Sequence, residues 1–193
     1  MPGEQTTAAG GVGAHLGPRT AADTEGEVAR VLQKLDDGNI TKYVVRMLAN
    51  SPTAFRPFVL LTSRLLTSEY YPRLDQEVVI LHLAARRGTQ YEWEEHVSMG
   101  LESGVTQAQI DAIERDGRAS DTQLFTADQL FAVDFVDQLI DNKQVDTDMW
   151  VRAIQLWGQE GAMDLLMTIG VWGALVPTLI EGLGLVHAPE AAT

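Results

Sequence analysis

Hydrophobic and polar positions along the chain follow the helical period from about residue 25 to residue 183. Val28, Val31, Leu32 and Leu35 recur at helical spacing between a capping-box pair, Thr24 with Glu27, and Gly38, which predicts a helix over 25–36. A second candidate covers 41–48 and ends at Asn50; Ser51 and Pro52 then supply an N-cap and a first-turn proline for a helix to about Ser68, with Pro57 as a kink site. The stretch 78–85 is apolar nearly all the way round. The helix that carries it, from Pro72 or Arg73 to Arg87, is therefore expected at the centre of a helical core, with Gly88 as its stop. After the turn Gly88-Thr89-Gln90 comes a helix over 91–103 that stops at Gly104, with Trp93, Val97 and Leu101 as its expected buried ridge.

Thr106 with Gln109 and Thr126 with Gln129 repeat the capping signature, opening a short helix that ends at Gly117 and a longer one over 127–142. In the second, Leu130, Val133, Val136, Leu139 and Ile140 form the expected stripe. Asp146 or Thr147 starts a helix through Trp150, Ile154 and Trp157, and 160–183 supplies the last apolar helices, interrupted by glycines and Pro177. Nothing alternates with period two for long enough to make a strand, so the expected fold class is all-α. Asp164 heads an apolar helix much as Glu77 does, which suggests two degenerate helical repeats. The expected division is a flexible tail over 1–23, rich in Gly, Ala and Thr, one domain over 24–188, and a flexible end over 189–193.

Composition narrows the function. The 193 residues carry 27 acidic and 14 basic side chains, a formal charge of −13, which works against binding a polyanion, so nucleic acid is set aside as a partner. The absence of cysteine removes thiolate nucleophiles, disulfides and zinc-thiolate sites. The N-terminus has no basic start followed by an apolar run, so a cytoplasmic protein is the default, and no membrane span is expected because 162–180 contains Asp164, two glycines and Pro177.

Candidate chemistry gathers at 74–104. Glu92 and His96 stand four apart on one helix, so carboxylate and imidazole lie one turn apart, an arrangement suited to general acid/base transfer and also to an ordinary stabilising pair. On the helical wheel Glu95 points nearly opposite the expected ridge, and Glu92 alone among the acids of the helix shares the stripe of His96. Glu77 lies in an otherwise apolar run, where a carboxylate needs a partner, such as Arg64, Arg86 or Arg87, or has its pKa raised. His82 falls on another side and reads first as a core histidine. The Glu-x-x-His pairs of helical dimetal sites are absent, as are phosphate-loop and nucleophile-elbow motifs, so neither metal nor cofactor is expected. The tryptophans are spaced as core residues, one or two of which would suit the wall of a pocket.

The run LDQEVVILHLAARRGTQYEWEEHVSMGLESGVTQAQIDAI from Leu74 resembles the core motif of the carboxymuconolactone decarboxylase family, which includes the alkylhydroperoxidase D proteins. The resemblance rests on Glu before an apolar helix, the Tyr-Glu-Trp-x-x-His segment and the following Gly-Val-Thr turn, and it extends over nearly the whole chain from about Glu25, as in the longer, two-unit members. It implies an alkylhydroperoxidase D-like helical bundle that assembles as a homo-oligomer, a trimer or hexamer or else a dimer. In the peroxidase branch it implies a relay of Glu, His and a cysteine pair. Glu77 matches the relay glutamate and His96 the relay histidine, while Thr89 and Glu92 stand where the cysteines would be, which removes thiol peroxidase activity. The expectation is then a cofactor-independent lyase, isomerase or hydratase acting on a small oxygenated organic acid, lactone or aromatic-derived compound. His96, Glu92 and Glu77 would be catalytic, with Glu92 orienting His96 or sharing its proton. Tyr91, Thr89, Trp93, His82 and Arg64 are the candidate substrate contacts, and Arg64, Arg73 or Arg86 would hold a substrate carboxylate. The alternative is a non-catalytic ligand-binding or assembly subunit on the same scaffold.

Overall fold

In the computed structural model the described residues are 15–38 and 42–187, so residues 1–14 of the expected tail over 1–23, and the expected C-terminal end over 189–193, lie outside them. The helices are α1 (Gly26–Asp37), α2 (Tyr43–Leu48), α3 (Pro52–Leu66), α4 (Arg73–Arg87), α5 (Gln90–Ser103), α6 (Gln107–Asp116), α7 (Ala127–Asn142), α8 (Thr147–Gly170) and α9 (Val176–Leu183). A π-helical turn, Val171–Leu175, joins α8 to α9. Among the described residues there is no strand, so the fold is all-α.

The centre is α4, where every residue from Gln76 to Ala84 is buried and Val78, Val79, Ile80 and Leu81 are wholly out of water. This follows from the all-round apolar run, which no single partner covers. Helices α5, α6, α7 and α8 and the π turn all pack on it. One core cluster lies between α4, α7 and α8 (Ile80, Leu83, Phe135, Leu165), and a second sits against α6 and the start of α7 (Leu81, Ile113, Phe125, Val133). A third, smaller cluster is made by Val28, Leu32, Ala49 and Phe55. The capping boxes at Thr106 and Thr126 form as the spacing requires, each hydroxyl accepting from the backbone of the glutamine three residues on.

Several expectations change. The capping box near the first helix is made by Thr20 and Asp23, not by Thr24 and Glu27, and it precedes a short 3-10 turn over Ala21–Asp23. Residues 15–23 are therefore not a free tail: the His15 N–H donates to Leu183 O (3.1 Å), the Arg19 N–H to Arg46 O (3.0 Å) and the Asn50 amide to Gly17 O (2.8 Å). Hydrogen bonds to its main chain, one of them from the Asn50 side chain, hold this segment where apolar side chains are scarce. On α7 the buried stripe is Gln129, Phe131, Ala132, Val133, Phe135 and Val136, while Ile140 is exposed. Asp164 lies inside α8 rather than at a helix head, and accepts from the Ser68 hydroxyl.

The last apolar segments run on as one helical rod over Thr147–Leu183, broken at Gly158, where φ is 73° and ψ 178°, values that only glycine adopts at little cost. By length and composition alone this rod is apolar enough to cross a bilayer, with 44% of its most apolar window buried within the fold. The π turn has a local cause. Pro177 has no N–H to give to the carbonyl of Gly173, and that carbonyl accepts instead from the guanidinium of Arg87 (3.2 Å).

Candidate active site

A cavity of about 110 Å³ opens between α2, α3, α5, the π turn and α9. Its walls are mostly apolar, from Val44, Val45, Phe58, Leu66, Met99, Trp172, Val176 and Ile180, and its polar groups are Lys42, Thr62, Tyr91, Glu92, Glu95 and His96. Four of these six come from α5, because that helix turns its Glu92–His96 face inward: Tyr91, Glu92, His96 and Gly100 are its buried residues. The expected ridge is corrected here, since Leu101 is 44% exposed and Trp93 and Val97 are half-buried against the cluster beside α6. A second apolar contact surface misled the wheel, because the helix is covered on two sides and the side that carries charges faces the cavity.

His96 is held from behind. Its Nδ1 lies 2.8 Å from Oε2 of Glu77, which is wholly buried and whose other oxygen is ion-paired with Arg73 one turn earlier on α4. With Nδ1 turned to the carboxylate that Arg73 also holds, Nε2 is the ring nitrogen left without a protein partner. Trp172 packs edge-on against the imidazole, with ring centroids 6.1 Å apart at 87°, and fixes its plane. The partner that orients His96 is thus Glu77 on the neighbouring helix. Glu92, expected in that role, makes no hydrogen bond to the imidazole.

Glu92 is 2% exposed, and neither of its carboxyl oxygens has a hydrogen-bond partner. Burial pushes its pKa up to about 8, with the nearby Arg87 opposing that rise and Glu181 adding to it. Local structure explains why it stands free. Thr89 is the N-cap of α5 and Glu92 the third residue of the helix, so the pair spells a capping box in which the glutamate would accept from the Thr89 N–H. That N–H is already engaged by Ala84 O (3.1 Å) in the closure that ends α4 at Gly88, and the Thr89 hydroxyl makes no cap either. The box stays open, and the carboxyl is directed to the cavity wall.

The mouth of the cavity is tied by two contacts between α5 and the start of α2. Lys42 is ion-paired with Glu95 at 2.7 Å, and the Tyr91 hydroxyl accepts from the Val44 N–H at 2.9 Å. Burial, and then the Glu95 carboxylate, push the Tyr91 phenol well above its ordinary pKa. Glu95 therefore lines the cavity rather than pointing away from the core. Lys42 and Glu95 are 53 positions apart, and no sequence spacing announced their pairing.

Of the expected substrate contacts, Tyr91 reaches the cavity and the other four do not. Thr89 and Trp93 line a separate hollow beside Gly88, Glu114 and Gly117. His82 is buried against Asp137 (2.8 Å), whose pKa is lowered by His82 and Arg86 against the opposing effect of burial. Arg64 borders an outer groove with Ser68 and Asp164. Neither of the other carboxylate-binding candidates is available, since Arg73 is bound to Glu77 and Arg86 to Asp137 and Asp141. Trp172 does wall the cavity, as one of the tryptophans was expected to. Among the described residues no three His, Asp or Glu side chains converge in a metal-binding arrangement.

No family model matches the chain, and no curated protein does. Among solved structures it is similar to one described as an alkylhydroperoxidase AhpD core, an uncharacterised peroxidase-related protein from Ralstonia eutropha JMP134. The two superpose with a TM-score of 0.75 over 94% of this chain and 95% of the other, at 17% sequence identity. With no strand among its described residues and the central α4–α5 pair, the chain has the all-α AhpD-like fold.

Proposed function

We propose that the protein is a cofactor-independent acid/base enzyme, a lyase, isomerase or hydratase acting on a small oxygenated compound. The observation that carries this reading is the pair formed by the free Nε2 of His96 and the unpartnered carboxyl of Glu92 on the wall of one apolar cavity. Nε2 is an acceptor oriented from behind by Glu77, which makes it a general base. Glu92 carries its proton at neutral pH, with a pKa of about 8, and so serves as the donor that stabilises negative charge on a reacting oxygen. Decarboxylation, isomerisation and hydration all use such a pair, because each passes through an enol or enolate that must be formed and reprotonated.

Proton transfer is tested without knowing the natural substrate. Cyclohexanone, acetophenone and γ-butyrolactone are incubated in D2O with the wild-type protein, His96→Ala and Glu92→Gln, and α-proton exchange is followed by NMR. Exchange catalysed by the wild type and reduced at least about a hundredfold in His96→Ala, with helical circular dichroism unchanged, is the expected result. Equal rates for wild type and His96→Ala on every compound would sink the reading in favour of a binding subunit. We also propose that the chain forms a homo-oligomer through the exposed apolar side of the α8 rod, where Met163, Met167 and Leu175 are 50%, 37% and 42% exposed.

A further inference from the structure

The charges around the cavity are closed among themselves. Lys42 is its one cationic lining group among the described residues, and it is bound to Glu95 at 2.7 Å. Behind the wall, Arg73 is bound to Glu77, and Arg87 is held by both oxygens of Glu181 at 2.8 and 2.9 Å. A carboxylate entering here gives up its hydration and finds every cation already paired, in a protein of formal charge −13. A cation meets the field of Arg87, which reaches Glu92. It also draws the Glu92 carboxyl into ionising, which removes the donor. What stands without a hydrogen-bond partner at this site is the Glu92 carboxyl, on the same wall as the His96 imidazole and set among Phe58, Met99, Trp172, Val176 and Ile180.

We propose, resting on the acid/base reading of the same cavity, that the substrate is an uncharged carbonyl compound of about single-ring size whose oxygen is bound by Glu92 and whose α-carbon faces His96. The size follows from the volume of about 110 Å³ in a cavity partly open to solvent, beside the ~150 Å³ at which a closed apolar cavity takes up benzene. The step balances within the substrate. Nε2 of His96 removes the α-proton, the C–H electron pair becomes the C=C bond, and the carbonyl π pair moves to oxygen, which takes the Glu92 proton. Return of the proton from His96 to the same or the conjugated carbon, and of the enol proton to Glu92, regenerates both groups. A lactone or ketone suits this site, and an organic acid in its ionised form does not. Decarboxylation is thereby set aside, since it would require a bound carboxylate, and isomerisation and hydration remain.

Three probes of one shape and three charges test the proposal: benzamide, benzoate and benzamidinium, titrated calorimetrically into the wild-type protein at pH 7. Benzamide is expected to bind at least about tenfold more tightly than either ion. Glu95→Gln, which releases Lys42, is expected to raise benzoate affinity about tenfold relative to that of benzamide. Benzoate or benzamidinium binding as tightly as benzamide, no binding of any probe, or benzoate affinity unmoved in Glu95→Gln would each overturn the proposal. The acid/base reading fails separately. Selectivity for benzamide with no α-proton exchange supports the ligand class and removes the chemistry, whereas exchange with no selectivity does the reverse.

Discussion

Glu92 and Glu77 are two buried carboxyl groups in contact with different surroundings, and the difference decides their roles. Glu77 has a guanidinium on one oxygen and an imidazole on the other, so its charge is compensated where it lies. Glu92 has neither, and burial holds its folded-state pKa at about 8, above the ordinary 4.5. The folded protein therefore keeps a proton that the unfolded chain releases. That contribution to stability is fully present below about pH 4.5, is lost as the pH rises, and is gone above about pH 8. Glu92→Gln removes the dependence. The variant should be more stable than the wild type by roughly 1–4 kcal/mol at pH 9 and nearly equal to it at pH 5. Urea denaturation at the two pH values measures this, and a variant less stable at pH 9 would show that Glu92 is not held uncompensated.

At the scale of helices, the free carboxyl is a property of the junction between α4 and α5 rather than of Glu92 itself. Gly88, at φ 73°, ends α4 in a closure that engages the Thr89 N–H, and only for that reason is the capping box open. Gly88→Val forces a left-handed conformation on a β-branched side chain, at a cost of about 1–2 kcal/mol, and releases the N–H for Glu92 to bind. We expect α-proton exchange to fall with the cavity lining unchanged, and the Thr89 amide resonance to show a new hydrogen-bond partner. Unchanged activity would break the link between junction and site. Much at this scale was legible in the sequence. Gly88 and Gly104 bound α5, and the Thr-x-x-Gln pairs set the starts of α6 and α7, because capping chemistry is local. The inner face of α5 was not legible. A helix covered on both sides, by core at Trp93 and Val97 and by cavity at Glu92 and His96, has no single apolar stripe for periodicity to find. The Lys42–Glu95 tie and the Glu77–His96 bond depend on packing between helices, which spacing along one helix does not encode.

For the whole molecule, the exposed apolar side of the α8 rod stands out against a formal charge of −13. Met163 and Met167 lie one turn apart on it, and the exposed residues between them and Leu175, Gly170 and Ala174, carry no charge. If copies of the chain meet there, Met163→Glu with Met167→Glu should convert the assembly to a monomer of 21.1 kDa by light scattering, with the helical content retained. A wild-type protein that is already monomeric at the same concentration would exclude this face as an interface. The order in which the chain is made carries a further consequence. The groups of the proposed chemistry lie on α4 and α5, but the wall that covers them, from Trp172 to Ile180, is synthesised long after His96. Until that wall emerges, the apolar centre of α4 has only part of its cover. The apolar centre of α4 thus waits for the last helices of the chain before it is fully covered, and the cavity is closed only when they have been made.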